Sequence, residues 1–264
     1  MKATEVSRLE TALRADGDLK LVPYVMGGHP NPKKSLEVAR RLAASGVAAI
    51  EIGVAHSDPL ADGPVIQKAG QAALAAGMTV GACLELAGAV ATEGVPVILM
   101  SYINPILAYD PRRFAAAAAQ AGVAGVIVPD MPIEEAEPVA GWFRAAALDT
   151  VFMVAPTTAP ARMEAICQRS AGFVYCVTLT GITGARGELS PALAGLAERA
   201  RAATDVPLYA GFGISTPGHA HTVGELADGI VVGSRACEVA EQGPDALRDY
   251  VASLRAGLDS AVPA

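Results

Sequence analysis

Eight times along the chain a short apolar run is followed by a turn, and the runs are separated by stretches of helical period. The runs are residues 19–25, 47–52, 95–100, 123–128, 150–154, 173–177, 207–210 and 228–232. They are short, nearly free of charge and rich in Val, Ile and Leu, as a strand buried on both faces must be. Helical spacing is found over 33–45, 65–94 (with a break at Gly77-Met78), 111–120, 134–147, 160–170 and 191–202, and in a final stretch reaching about 258. Strands alternating with helices imply parallel βαβ units, and eight such units close a barrel. An open doubly wound sheet is the alternative, but its G-x-G-x-x-G fingerprint after the first strand is absent. The expected fold is α/β, a single (β/α)8 TIM barrel domain over residues 1–264. An extra N-terminal helix at 5–15, carrying Val6, Leu9, Ala12 and Leu13, would cover its bottom.

One run departs from the pattern. The second carries a carboxylate, Glu51, and opens into a Pro/Gly-punctuated loop with two more, Asp58 and Asp62, ending at Gly63-Pro64. A charge inside a doubly buried strand is costly unless it is paired or used. Glu51 is therefore the candidate acid/base and Asp62 a second polar group; capping a loop is the plainer role for Glu51. In such barrels the active site lies at the C-terminal ends of the strands. Tyr102, Asp130, Tyr175, Gly184, Gly213, Gly233 and Ser234 all fall there. Asp130, beside Pro132, also suits a turn, and Tyr102 and Tyr175 also suit an amphipathic core. Gly211-Phe212-Gly213 after the seventh run and Gly233-Ser234 after the eighth match the recurrent phosphate site of these barrels. Tight turns are the alternative use of the same glycines. Gly181 and Gly184 after the sixth run supply a third wall or a lid. These residues imply an enzyme acting on a small phosphorylated metabolite and leave the metabolite unnamed.

Composition closes off other classes. With 52% hydrophobic and 18% charged residues the chain can build a large core and carries no disorder signature. A net charge of −7 argues against nucleic acid or an anionic membrane as partner. No apolar run approaches the length of a membrane span. Met1-Lys2-Ala3-Thr4-Glu5 lacks the core of a signal peptide, so a cytoplasmic location is expected. Cys83, Cys167, Cys176 and Cys237 lie far apart and are expected to be small buried hydrophobes. His29, His56, His219 and His221 fall in different turns without a matched carboxylate cluster, so no metal site is expected, and His219 and His221 read as surface residues.

At the level of motifs the chain resembles the α subunit of tryptophan synthase. Glu51-Ile52-Gly53-Val54 with Ser57-Asp58-Pro59-Leu60-Ala61-Asp62-Gly63-Pro64 matches the most distinctive signature of that family nearly letter for letter. Met100-Ser101-Tyr102-Ile103-Asn104-Pro105, Val128-Pro129-Asp130-Met131-Pro132, Ala155-Pro156-Thr157-Thr158, Gly181-Ile182-Thr183-Gly184 and Gly211-Phe212-Gly213-Ile214-Ser215 follow in order. The resemblance implies retro-aldol cleavage of indole-3-glycerol phosphate to indole and glyceraldehyde 3-phosphate, in tryptophan biosynthesis. Glu51 would then be the proton donor and acceptor, and Asp62 would hold the indole N–H. Tyr24, Tyr102, Asp130, Tyr175 and Thr183 would bind substrate, Thr183 meeting Asp62 on loop closure. Gly184, Phe212, Gly213, Gly233 and Ser234 would bind the phosphate. The same resemblance implies no cofactor on this chain and a β subunit carrying pyridoxal phosphate in an α2β2 complex. A free-standing lyase releasing indole is the alternative. It is motivated by Met26-Gly27-Gly28-His29-Pro30 where the family usually has Thr-Ala-Gly-Asp-Pro, by Ala55-His56 for Pro-Phe, and by a shorter loop at 184–188.

Overall fold

In the computed structural model, residues 6–14, 20–177, 189–211 and 213–261 are described. The elements, in chain order, are α1 (Arg8–Arg14), β1 (Leu21–Met26), α2 (Pro32–Ala43), β2 (Ile50–Gly53), α3 (Pro64–Ala75), α4 (Val80–Ala91), β3 (Val97–Met100), α5 (Ile103–Tyr109), α6 (Pro111–Gln120), β4 (Gly125–Ile127) and α7 (Glu137–Ala145). There follow β5 (Asp149–Val151), β6 (Met153–Val154), α8 (Pro160–Arg169), β7 (Val174–Val177), α9 (Leu189–Arg201), β8 (Leu208–Gly211), α10 (Pro217–Gly224), β9 (Gly229–Val232), α11 (Ser234–Ala240) and α12 (Pro244–Asp259).

All strand pairings are parallel, in the order β5-β4-β3-β2-β1-β9-β8-β7-β6. β5 and β6 are two halves of one stave that changes partner at Phe152. The Asp149 N–H donates to the Ala124 carbonyl at 3.0 Å, and the Phe152 carbonyl accepts from the Tyr175 N–H at 3.0 Å. The ring of eight staves is thereby closed, and the expected barrel is present.

Two apolar layers hold it. Leu21, Val25, Ile50, Ile52, Val97 and Leu99 point outward, buried against the helices. Val22, Ala49, Ile98, Ile127, Val151, Phe173, Tyr209 and Val231 fill the interior. Burying one such side chain stabilises by roughly 1.5–3 kcal/mol. The bottom is plugged by α1, the expected N-terminal helix, whose Leu9 and Leu13 enter the inner layer. Ser7 donates to the Asp149 carboxylate, and the Tyr209 hydroxyl donates to the Leu13 carbonyl at 3.2 Å. The four cysteines are buried and free, as expected.

The expected break within 65–94 is present: α3 and α4 are bent by 106°, with Gly77 in the left-handed region at φ +82 and Thr79 capping α4. Other helical boundaries differ from expectation. The final stretch is likewise two, separated at Gly243 (φ +115) and restarted by Pro244. Helix α5, which no periodicity in the sequence marks, starts where the Asp130 carboxylate accepts from the Ile103 N–H at 2.9 Å, a cap supplied from 27 residues away. Helix α10 was also unread. It has a local signature, the Thr216 hydroxyl accepting from the His219 N–H and Pro217 in the first turn. It buries Ala220 and Val223; His219 is half-buried with its Nδ1 enclosed, whereas the His221 side chain is 42% exposed, the surface position expected. His221 Nδ1 lies 3.0 Å from the Ser260 hydroxyl. Among the described residues no single helix is long and apolar enough to cross a membrane.

Candidate active site

Tyr24 on β1 and Glu51 on β2 are register partners, so both side chains point to one face of the sheet, the inside of the barrel. Glu51 is 4% exposed, and among the described residues its Oε2 has no hydrogen-bond partner. Burial first, and the neighbouring Asp62 second, push its carboxyl from 4.5 up to about 8. Asp62 sits in the loop after β2, where its N–H donates to the Pro59 carbonyl at 3.1 Å. Burial raises it from 3.8 to about 6, and a hydrogen bond from the Tyr102 hydroxyl opposes the rise. Near pH 7 the pair is therefore split between a neutral acid and an ionised partner, the division that lets two carboxyls take different tasks.

Three tyrosines line this pair. The Tyr24 ring occupies space left by Gly53, where an added Cβ would lie 2.0 Å from the Tyr24 hydroxyl. Tyr175 on β7 uses Gly211 in the same way, at 2.2 Å. Both phenols are raised well above the usual value, by burial first and also by facing Glu51 and Asp62. Tyr102, 2% exposed at the end of β3, accepts from the Ala61 N–H at 3.0 Å. Among the residues singled out from sequence, these five meet at the C-terminal mouth. Asp130 is exposed and its carboxylate is engaged in capping α5, so it stands beside Tyr102 and outside the buried pair.

Gly213 follows β8 with φ +79, and Gly233 and Ser234 follow β9; the two strands are hydrogen-bonded neighbours, so their ends adjoin. Gly233 precedes α11, whose first turn has no side-chain cap, and Ser234 is exposed there. An added Cβ on Gly233 would meet Ile66 and Tyr24 at 3.5 and 3.8 Å, so this corner abuts the carboxylate site. Thr183, Gly184 and Phe212 lie outside the described residues. Sequence reading gave His56 no task, yet its ring lies 5.2 Å from that of Tyr102. No periodicity announces such a contact. Among the described residues no His, Cys, Asp and Glu cluster is arranged to hold a metal.

Comparison with known proteins gives this sequence and fold a family. A family model described as tryptophan synthase alpha chain matches residues 11–260. The tryptophan synthase alpha chain of Roseiflexus sp. is 44% identical over 250 residues, covering 92% of this chain and 96% of that one. That of Solibacter usitatus is 41% identical, covering 97% and 98%. A structure of Mycobacterium tuberculosis tryptophan synthase superposes with a TM-score of 0.90 at 35% identity, covering 96% of this chain and 99% of that one. The tryptophan synthase subunit alpha of Legionella pneumophila gives 0.87 at 32% identity, covering 96% and 99%. On its sequence, its barrel and the match along nearly its whole length, the chain belongs to the tryptophan synthase alpha chain family.

Proposed function

We propose that the Glu51–Asp62 pair performs the lyase reaction of this family, cleavage of indole-3-glycerol phosphate to indole and glyceraldehyde 3-phosphate in tryptophan biosynthesis. The observation that carries the reading is Glu51 itself, a buried carboxyl held near 8 with one oxygen unpartnered among the described residues, beside a carboxylate held near 6. Neutral Glu51 donates its proton to indole C3, giving the cationic indolenine tautomer. Asp62 accepts a hydrogen bond from the indole N–H and stabilises that charge. The carboxylate left on Glu51 takes the proton of the hydroxyl on the adjoining glycerol carbon. The bond from indole C3 to that carbon breaks, its electrons return to the ring, and the carbon leaves as an aldehyde. Glu51 ends protonated, as it began, so a single group serves as acid and base.

Tyr24, Tyr102 and Tyr175 line the indole side, with Asp130 acting on that wall through α5 and Thr183 closing over it. Gly184, Phe212, Gly213, Gly233 and Ser234 hold the phosphate by backbone N–H groups and the Ser234 hydroxyl. None of these steps calls on a cofactor of this chain; in the family, pyridoxal phosphate is carried by the β partner. The reading makes the whole chain, residues 1–264, one barrel domain acting in the cytoplasm. Family membership favours an α subunit working with a β subunit over a free-standing lyase. The test is indole release from indole-3-glycerol phosphate by the purified chain, with and without a tryptophan synthase β chain. Weak release that rises with β is expected; strong release indifferent to β supports the free-standing lyase. No release in either case overturns the substrate.

A further inference from the structure

We propose that His56 is a positioning residue for Asp62, acting through the ring of Tyr102. The inference rests on the proposed role of Asp62 and adds a residue to it. After β2 the chain doubles back around one tyrosine. His56 lies against the Tyr102 ring, with centroids 5.2 Å apart and planes inclined at 34°. Five residues later the Ala61 N–H donates to the Tyr102 hydroxyl at 3.0 Å. That hydroxyl is therefore tied to the backbone immediately before Asp62, and it lowers the Asp62 carboxyl against the effect of burial. Tyr102 is held from a third direction by its own backbone: its carbonyl accepts from the Ser101 hydroxyl at 3.0 Å, and the helix that starts after it is capped by Asp130.

Tyr102 is thus a post with the loop closed on both its face and its tip. The hydroxyl reaches the Ala61 N–H, and stands beside Asp62, only while the Tyr102 side chain keeps this rotamer. The face contact with His56 restricts that orientation. Offset aromatic pairs of this separation contribute about 0.5–1.5 kcal/mol beyond area burial, enough to bias a side-chain rotamer several-fold. His56 is half-buried, so a smaller side chain leaves a gap open to water and does not perforate the core. The groups facing Asp62 are Glu51 on β2, Tyr24 on β1, Tyr102 after β3, Tyr175 on β7 and Cys237 on α11. Of these, Tyr102 is the one whose hydrogen bond holds Asp62 down.

The experiment compares wild type, H56A and H56F by two readouts. One is the pH profile of kcat/KM for indole-3-glycerol phosphate; the other is the titration of the Asp62 carboxyl by carbon NMR in the substrate-free protein. H56A should lose several-fold to about tenfold in kcat/KM, with the loss in kcat. Its acid limb, and the Asp62 titration, should both move to higher pH. H56F, which keeps an aromatic face, should restore both. In a Y102F background H56A should add nothing to the Asp62 shift, since the two residues act in series. Unchanged rate and titration in H56A would overturn the inference, and so would an H56F variant as impaired as H56A. If wild type fails to cleave the substrate, the functional reading falls, while the Asp62 titrations still decide the role of His56.

Discussion

At the residue scale the protein is organised by one costly choice, a glutamate on the inner face of a barrel strand. Because the carboxyl of Glu51 is raised from 4.5 to about 8, near pH 7 it is mostly neutral, and glutamine is close to its isostere. E51Q should therefore keep the fold, with a melting temperature near neutrality no lower than that of wild type, while turnover drops about 10²–10⁴-fold, the usual worth of a general acid/base; indole release alongside a thermal melt would check it. The sign of the stability effect follows from the same shift. Between about 4.5 and 8 the folded state holds a proton on Glu51 that the unfolded state has released, so stability declines as pH rises through that window. Asp62 adds a smaller decline of the same sign between about 4 and 6. Urea unfolding should find E51Q equal to wild type near pH 5 and more stable by a few kcal/mol near pH 8, on the order of 1.4 kcal/mol per pKa unit. Parallel curves for the two proteins would remove the buried-acid account. For kcat/KM the expected profile is a bell with limbs near 6 and 8, whose midpoints belong to the pair and not to either residue alone.

At the element scale the barrel is shaped by large side chains set against glycines on adjoining strands. Tyr24 lies over Gly53, Tyr175 over Gly211 and Tyr209 over Gly229, each with an added Cβ 2.4 Å or less from the ring or its hydroxyl. G53A should displace Tyr24 from the wall of the carboxylate site, lowering kcat/KM and costing about 1–3 kcal/mol of stability. A variant of wild-type activity and stability would show that the ring moves freely. Helix α1 acts at the opposite end. Leu9 is fully buried, and its Cδ2 sits where Cβ atoms on Gly125 and Gly172 would fall, so L9A should cost about 2–5 kcal/mol by denaturant titration. Activity per folded molecule should stay unchanged, because the plug touches nothing at the catalytic mouth; a loss of kcat in fully folded L9A would contradict that separation.

At the scale of the whole molecule, the eightfold alternation and Glu51 were both legible, because each is a local conflict or agreement with burial. A strand buried on both faces must be apolar, so the pattern marks the strands and the exception marks the buried carboxyl. The strand-end glycines were legible for the same reason, since tight βα turns and close backbone approach need them. Helices α5 and α10 carry no clear periodic signal, and the cap of α5 comes from Asp130 in the loop after the adjoining strand, 27 residues away. That the Asp130 carboxylate accepts from the Ile103 N–H at the start of α5 is likewise visible only in the folded chain. Nor does the sequence say that Phe152 is where one stave changes partner, because that depends on which strands arrive on either side. By itself the sequence determined the fold class and the acid at its centre, through periodicity and the cost of a buried charge. Tertiary structure alone decided how far each carboxyl is desolvated and what Tyr102, His56 and Asp130 touch, because those depend on contacts between residues far apart in the chain.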